Sequence, residues 1–531
     1  MEALELVVLL GVVILACGLA ARRVGVAEPI LLLFAGAVLG FVPALQEVHL
    51  PPELMLLVFL PALLYWESIT TSLRGIRSAL RGILLSSTLL VVATAAAVAV
   101  AAHHVLQMPW GPAWVLGGAL APTDATAVAA MARVLPARAV TVLRAESLIN
   151  DGTALVIYGV ALGVTLGEET LEPTHIAWLV VLSYVGGIAM GALVARAAIP
   201  LRRRIDDPLL TNTLILLLPF TSFLLAELIH ASGVLAVVVC GLVMSQAGPR
   251  IGQPLARTQT VAFWTLATFL LNAALFVLVG LEGHAAVTSL RSTNLVTALV
   301  GGAVVYLVIL VVRLLFLVVS AYTIRMLDRR PSQRLRRVTN RSRVVSTVAG
   351  FRGAVSLAAA LAVPATLPSG EPFPDQDLIV FVTAGVVAST LVVQGLLLAP
   401  MVRWARLPSD DTPARERRLA TEVAIHEALL ALPAAARELH VERETVQRVH
   451  AELQEHLTVL ASSDPEAPDD TATRRDQQYT ALRLALISRK RAAVVRLRDE
   501  RRIDDGVLRQ VQAQLDIEEI RLTRSSDALI E

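Results

Sequence analysis

Apolar windows of about 20 residues, cut apart by Gly, Pro and Arg, recur along the first three quarters of the chain, and that length crosses a bilayer as helix. About thirteen such windows precede Trp404. Their approximate cores are 3–21, 29–45, 52–71, 82–106, 111–134, 140–166, 175–199, 208–229, 233–247, 260–282, 295–325, 342–366 and 376–404. After Trp404 the pattern changes. Residues 415–460 and 474–522 mix Ala and Leu with Glu and Arg at helical spacing, and Ser462 to Thr473 is a polar, acidic linker. The pattern predicts an all-α polytopic membrane domain over 1–404 and a helical tail over 405–531.

Composition agrees with this division. The 531 residues are 55% hydrophobic and 17% charged, with a mean hydropathy of +0.66, too apolar for a soluble chain of this length. The net charge of +2 conceals a split, because 24 of the 44 acidic residues lie beyond residue 404. Lys490 is the only lysine, so no membrane lysine carries protons here. Cys17 and Cys240 sit in apolar windows, where small buried hydrophobes outnumber redox or metal roles. The stretch from Leu4 to Ala21 lacks a basic leader and is followed by Arg22 and Arg23, which reads as a retained first helix. The tail alternates its charges and offers no basic stripe to nucleic acid.

Loop charge orients the windows. Arg22 and Arg23, then Arg74, Arg77 and Arg81, then Arg133 and Arg138, then Arg202, Arg203 and Arg204 fall in alternate connections, and Arg250, Arg257 and the stretch from Arg325 to Arg343 continue the series. The intervening connections carry Glu47 and Glu53, His103 and His104, Glu168 to Glu172, His230, Glu282 and Glu371 to Asp377, with Arg291 as the one base. Basic loops stay in the cytoplasm. An external N-terminus, a cytoplasmic tail and an odd number of spans in the cell membrane are predicted.

Five carboxylates lie away from span ends: Glu67, Asp124, Glu146, Asp151 and Glu227. An ionised carboxylate in hydrocarbon is costly, so one that persists normally faces a cavity and handles an ion or a proton. Asp124 stands in Ala121-Pro122-Thr123-Asp124. Pro122 removes a donor and clashes with the preceding turn, predicting two half-helices with an extended break. Asp124 also suits the N-cap of the second half. On the next span, Ser147 and Asp151 are four apart and share a face, whereas Glu146 projects about 140° away from Asp151. Asp151 and the Ser147 hydroxyl offer oxygens to a hard monovalent cation, and Glu146 needs a separate partner. Arg352, between Gly350 and Gly353 in a second expected break, is the predicted structural ion pair of Glu146. Asn150, in place of a second acid, leaves one carboxylate to exchange its proton per cycle. Glu227 and His230 read as solvated or interfacial, and Arg313, unpaired by sequence, is expected to snorkel or face a crevice.

Thr123-Asp124, Asn150-Asp151 within Glu-Ser-Leu-Ile-Asn-Asp-Gly, Phe351-Arg352-Gly353, and the run from Phe59 to Tyr65 occur in order along the membrane domain. Together they resemble the monovalent cation/proton antiporters of the sodium/proton exchanger type, in its bacterial NhaP-like branch. The resemblance implies inverted repeats with two crossed broken helices, an ion-carrying core beside a dimerisation domain, and a homodimer working by elevator-like alternating access. It implies a cation site of Asp151 completed by Thr123, Asp124, Ser147 and Glu67, with Asn150 marking the electroneutral branch. It implies no cofactor and no enzymatic reaction. Ala125 stands where relatives commonly carry Pro.

The coupling follows from elementary electrostatics. Desolvation favours the protonated carboxyl and a bound cation favours the ionised one, so H⁺ and cation compete for Asp151. An empty ionised site is too costly to carry across the barrier, whereas either neutralised form moves. Signatures of intramembrane proteases are absent from the chain. A sodium-coupled symporter or a cation channel of related fold is the alternative class. Na⁺, K⁺ and Li⁺ are not separated by the sequence.

Overall fold

The computed structural model describes all residues except 1, 43–54, 125–134, 168–171, 252, 291–292, 328–338, 408–411, 463–469, 501, 503–504 and 531. Ala125 and the loop charges Glu47, Glu53, Arg133, Glu168, Glu169 and Arg291 lie outside the described residues. The described chain is helical, with one isolated antiparallel bridge between Thr366 and Pro372. It divides into two compact units, Met1–Ser409 and Asp410–Glu531.

In the first unit α1 (Glu2–Val24) and α2 (Glu28–Leu39) precede α3 (Leu60–Thr70), which continues a π-helical turn at Met55–Phe59. Next, α4 (Leu73–Leu85) runs through a second π turn, Ser86–Leu90, into α5 (Val91–Val105). Then come α6 (Trp110–Leu120), α7 (Ala137–Leu166), α8 (Pro173–Arg203), α9 (Pro208–Glu227), α10 (Gly233–Ile251), α11 (Pro254–Ser289) and α12 (Leu295–Leu327). After them α13 (Asn340–Val348) and α14 (Ala354–Leu361) flank a break, and α15 (Gln376–Ser389) passes through a third π turn, Thr390–Gln394, into α16 (Gly395–Ala405). Helices α8, α9 and α11 begin with Pro, whose missing N–H costs nothing in a first turn. At α9 the Asp207 carboxylate accepts from Leu209 N and Leu210 N at 2.8 and 2.9 Å and caps two of the remaining orphan donors.

Three large apolar groups make up most of this unit, and two of them meet on one helix near the site. One joins α5, α6, α12, α14 and α15 through residues such as Val98, Leu116, Leu120, Ile309, Ala360 and Val382. The other joins α3, α8, α9 and α10 with Trp264 of α11, and buries Tyr65, Ala195, Leu218 and Val237. Helix α7 serves both, giving Leu148 to the second group and Tyr158 to the first. The periphery stays apolar, with Trp178, Val185, Leu217, Phe263, Leu299 and Leu307 half or more exposed. An apolar surface of this extent marks a face covered by lipid or by another subunit.

Nine helices among the described residues are long and apolar enough to cross a membrane, and Glu28–Leu39, Leu57–Thr70 and Gly233–Gly248 are shorter apolar helices. One of the nine, Ala414–Glu438, belongs to the second unit. The charged helices that follow this stretch mark it as tail, yet its own Ala- and Leu-rich window has the length and apolarity of a span. The second unit comprises α17 (Thr412–Glu438), α18 (Arg443–Ser462), α19 (Asp470–Asp499) and α20 (Asp505–Ile530). Helices α19 and α20 are joined by Arg483 to Glu518 at 2.7 Å and by Arg491 to Asp516 and Glu519 at 2.5 Å each.

Candidate cation site

The two breaks touch. After Leu120 the backbone leaves the helix at Ala121, and Asp124 N donates to Phe351 O of the second break at 2.9 Å. Helix α6 ends just before Pro122, and the half-helix expected after Asp124 falls in 125–134, outside the described residues. Glycine accounts for the second break through space, not through an unusual dihedral. A Cβ on Gly353 would stand 1.6 Å from Asp124 Oδ2, and one on Gly350 would stand 2.7 Å from Arg313 Nε. The Asp124 carboxylate thus lies against the residue that opens α14, where the helix dipole favours negative charge. It serves the start of the other broken helix.

Arg352 does the converse for helix C-termini. It is 1% exposed, and its Nε donates to Leu120 O at 2.7 Å and its Nη1 to Gly350 O at 2.9 Å. One guanidinium therefore ties together the carbonyl ends of α6 and α13, where a cation is favoured. Its backbone N donates to Thr390 Oγ1 at 3.2 Å, on the third π turn. π turns put groups out of helical register and recur at functional sites. The second π turn does likewise, because Ser87 O accepts from Thr153 Oγ1 of α7 at 2.7 Å.

Around these breaks the side chains of α7 assemble on Thr123. Ser147 Oγ donates to Thr123 O, and Asn150 Nδ2 donates to Thr123 Oγ1 at 2.6 Å. Thr123, Ser147, Asn150 and Asp151 are all buried. Asp151 Oδ1 and Asn150 Oδ1 are buried with no hydrogen-bond donor among the described residues. Two unsatisfied acceptors side by side are expensive unless a proton or a cation meets them. Glu67 of α3 and Asp124 both lie within electrostatic reach of Asp151. The three carboxylates do not converge into a cage, since no group of three or more His, Cys, Asp or Glu at metal-binding separation occurs among the described residues. The geometry brings Ser147 and Asn150 onto Thr123, with Asp151 the next residue along α7 and Asp124 and Glu67 within electrostatic reach of it.

One sequence expectation is corrected. Glu146 forms its ion pair with Arg313, Oε1 to Nη1 at 2.8 Å, and both side chains are buried; Arg352 is taken by the carbonyls of Leu120 and Gly350. Arg313 also donates from Nε to Ser346 O at 3.2 Å, so it neither snorkels nor lacks a partner. The available signal is burial itself: an Arg deep in an apolar window needs a carboxylate, and Glu146 is the acid left without a cation role. Arg144 escapes the sequence altogether. Glu227 has a structural use, accepting from Gly233 N at 3.3 Å at the start of α10.

A buried carboxylate with open acceptor sites, beside two helix breaks that meet within an apolar domain, defines a secondary cation transporter. The profile of the family described as sodium/hydrogen exchanger, transmembrane, matches residues 9–404, and the chain belongs to that family. It is 44% identical over 516 residues to an uncharacterized Na(+)/H(+) exchanger of Mycobacterium tuberculosis, covering 96% of this chain and 94% of the relative. The low-affinity Na(+)/H(+) antiporter NhaS1 of Synechocystis is 30% identical over 390 residues, 72% of this chain and 70% of its own. The fold is that of the sodium proton antiporter MjNhaP1 of Methanocaldococcus jannaschii, with a TM-score of 0.58 at 18% identity over 76% of this chain and 99% of that one.

Proposed function

We propose that this chain exchanges Na⁺ for H⁺ across the cell membrane, one for one, at a site formed by Asp151, Asn150, Ser147 and Thr123 and flanked by Asp124 and Glu67. K⁺ and Li⁺ are the other cargo cations of this chemistry. The observation that carries the reading is the pair of donorless oxygens, Asp151 Oδ1 and Asn150 Oδ1, held beside the Thr123 break. A cation or a proton satisfies that site, and each displaces the other. Asn150 contributes a neutral oxygen, leaving Asp151 as the group whose charge alternates.

The membrane domain over 1–404 carries the exchange in this reading, with the N-terminus external and the tail over 405–531 cytoplasmic. Alternating access is elevator-like: α7 carries the site along the boundary between two of the apolar groups it serves. The working unit is a homodimer in a lipid bilayer, and the cellular outcome is control of cytoplasmic pH and sodium.

The test uses purified protein in sealed liposomes with an internal pH dye and the voltage clamped at zero. Added Na⁺, Li⁺ or K⁺, but not choline, drives proton movement in the wild type, and Asp151→Asn reduces it to the protein-free rate. Cation-driven proton flux persisting in the folded variant would show that Asp151 is not the group on which H⁺ and cation compete.

A further inference from the structure

Arg144 lies two turns before Asp151 on α7, about 10 Å along the axis and nearly in line with it, because seven residues return almost to the same face. Its Nε is buried and meets no acceptor among the described residues. The side chain as a whole is half-buried, so its charge acts on a neighbouring carboxylate with only part of its field screened by water. Helix α3 packs against α7 and presents Glu67, which lies within electrostatic reach of Arg144. Helix α4 also packs against α7, and its Arg74, Arg77 and Arg81 are exposed.

The other charges around Asp151 cancel in pairs. Glu146 has Arg313. Asp124 and Arg352 carry opposite charges and both lie within electrostatic reach of Asp151. What remains is Asp151, Glu67 and Arg144, two negative charges and one positive. Their sum is −1 when the site is empty and zero when it holds one proton or one monovalent cation. From this geometry we infer that Arg144 is a positioning residue that cancels the charge of Glu67, so that a single cargo charge neutralises the site; the inference rests on the exchange proposed above.

Neutralising Arg144 leaves −2 in the empty site, which then holds both cargo ions more tightly. Arg144→Gln is expected to lower the Na⁺ KM at alkaline pH roughly 3- to 10-fold and to move the pH profile of exchange up by about 0.5–1 unit, the effect of one unscreened charge at a partly solvated site. Arg144→Lys keeps the charge and stays near wild type. Glu67→Gln shifts both readouts the opposite way, and the double variant Glu67→Gln/Arg144→Gln restores the −1 and returns toward wild type, a reversal that lost packing does not produce.

All five proteins are measured in the liposome assay, each after its folded yield is established by size exclusion. Wild-type KM and pH profile in Arg144→Gln, or a double variant no closer to wild type than the single ones, would overturn the role of Arg144 and leave the exchanger reading standing. No cation-driven proton flux in the wild type would overturn the exchanger reading, and the role of Arg144 with it.

Discussion

Asp151 keeps an oxygen away from every donor among the described residues, while its neighbours Ser147 and Asn150 spend their donors on Thr123. Donors are thus spent on Thr123, while Asp151 and Asn150 each keep an acceptor open. Asn150→Asp would add a second acid beside Asp151 and is expected to make the exchange charge-moving, read as an Na⁺-driven current absent from the wild type. The Glu146–Arg313 pair is buried at 2.8 Å. Removing one partner leaves a buried charge uncompensated and costs about 3–5 kcal/mol. Glu146→Gln should therefore lower the melting temperature in detergent by several degrees, and Glu146→Gln/Arg313→Gln should recover part of that loss. The face shared by Ser147 and Asp151 was legible from spacing alone. The partner of Glu146 was not, because an ion pair between distant windows depends on which helices meet.

At the scale of elements, the two breaks are built by different means. Helix α6 stops just before Pro122, whose missing donor any reader of the chain can anticipate. The second break depends on Gly353, where a side chain would displace the Asp124 carboxylate. Gly353→Ala is expected to cost about 1–3 kcal/mol by overpacking and to slow exchange well before it stops insertion, which pairing flux with folded yield checks. Arg352 reaches two carbonyls with two nitrogens, a fork that an ammonium on a single stem does not reproduce. Arg352→Lys should lose about 1.5–3 kcal/mol of charge-assisted hydrogen bonding, seen as a lower melting temperature with the charge retained. The π turns at Ser86–Leu90 and Thr390–Gln394 had no sequence signal, since no residue type demands them. Their use became visible only in Thr153 bonded to Ser87 O and Thr390 bonded to Arg352 N.

For the whole molecule, the charge balance of the site bears on how transport responds to voltage. One net charge crossing the membrane is worth about 2.3 kcal/mol per 100 mV. One-for-one exchange moves none. Na⁺-driven proton flux should then be the same, within error, at zero and at about −100 mV set by a K⁺ diffusion potential, whereas a two-for-one stoichiometry would change its end point.

The hydrophobic periods, the Pro and Gly punctuation and the intramembrane acids determined an α-helical membrane transporter with carboxylates inside its spans from the chain alone. They could do so because helix length, lipid exposure and the cost of a buried charge are local properties of a window. Tertiary structure decided which charge answers which. Arg313 to Glu146, Arg352 to the carbonyl ends of two half-helices, Asp124 to the start of α14 and Arg144 toward Glu67 all join residues far apart in the chain. Buried electrostatics is a matter of distance in space, and no sequence interval records it.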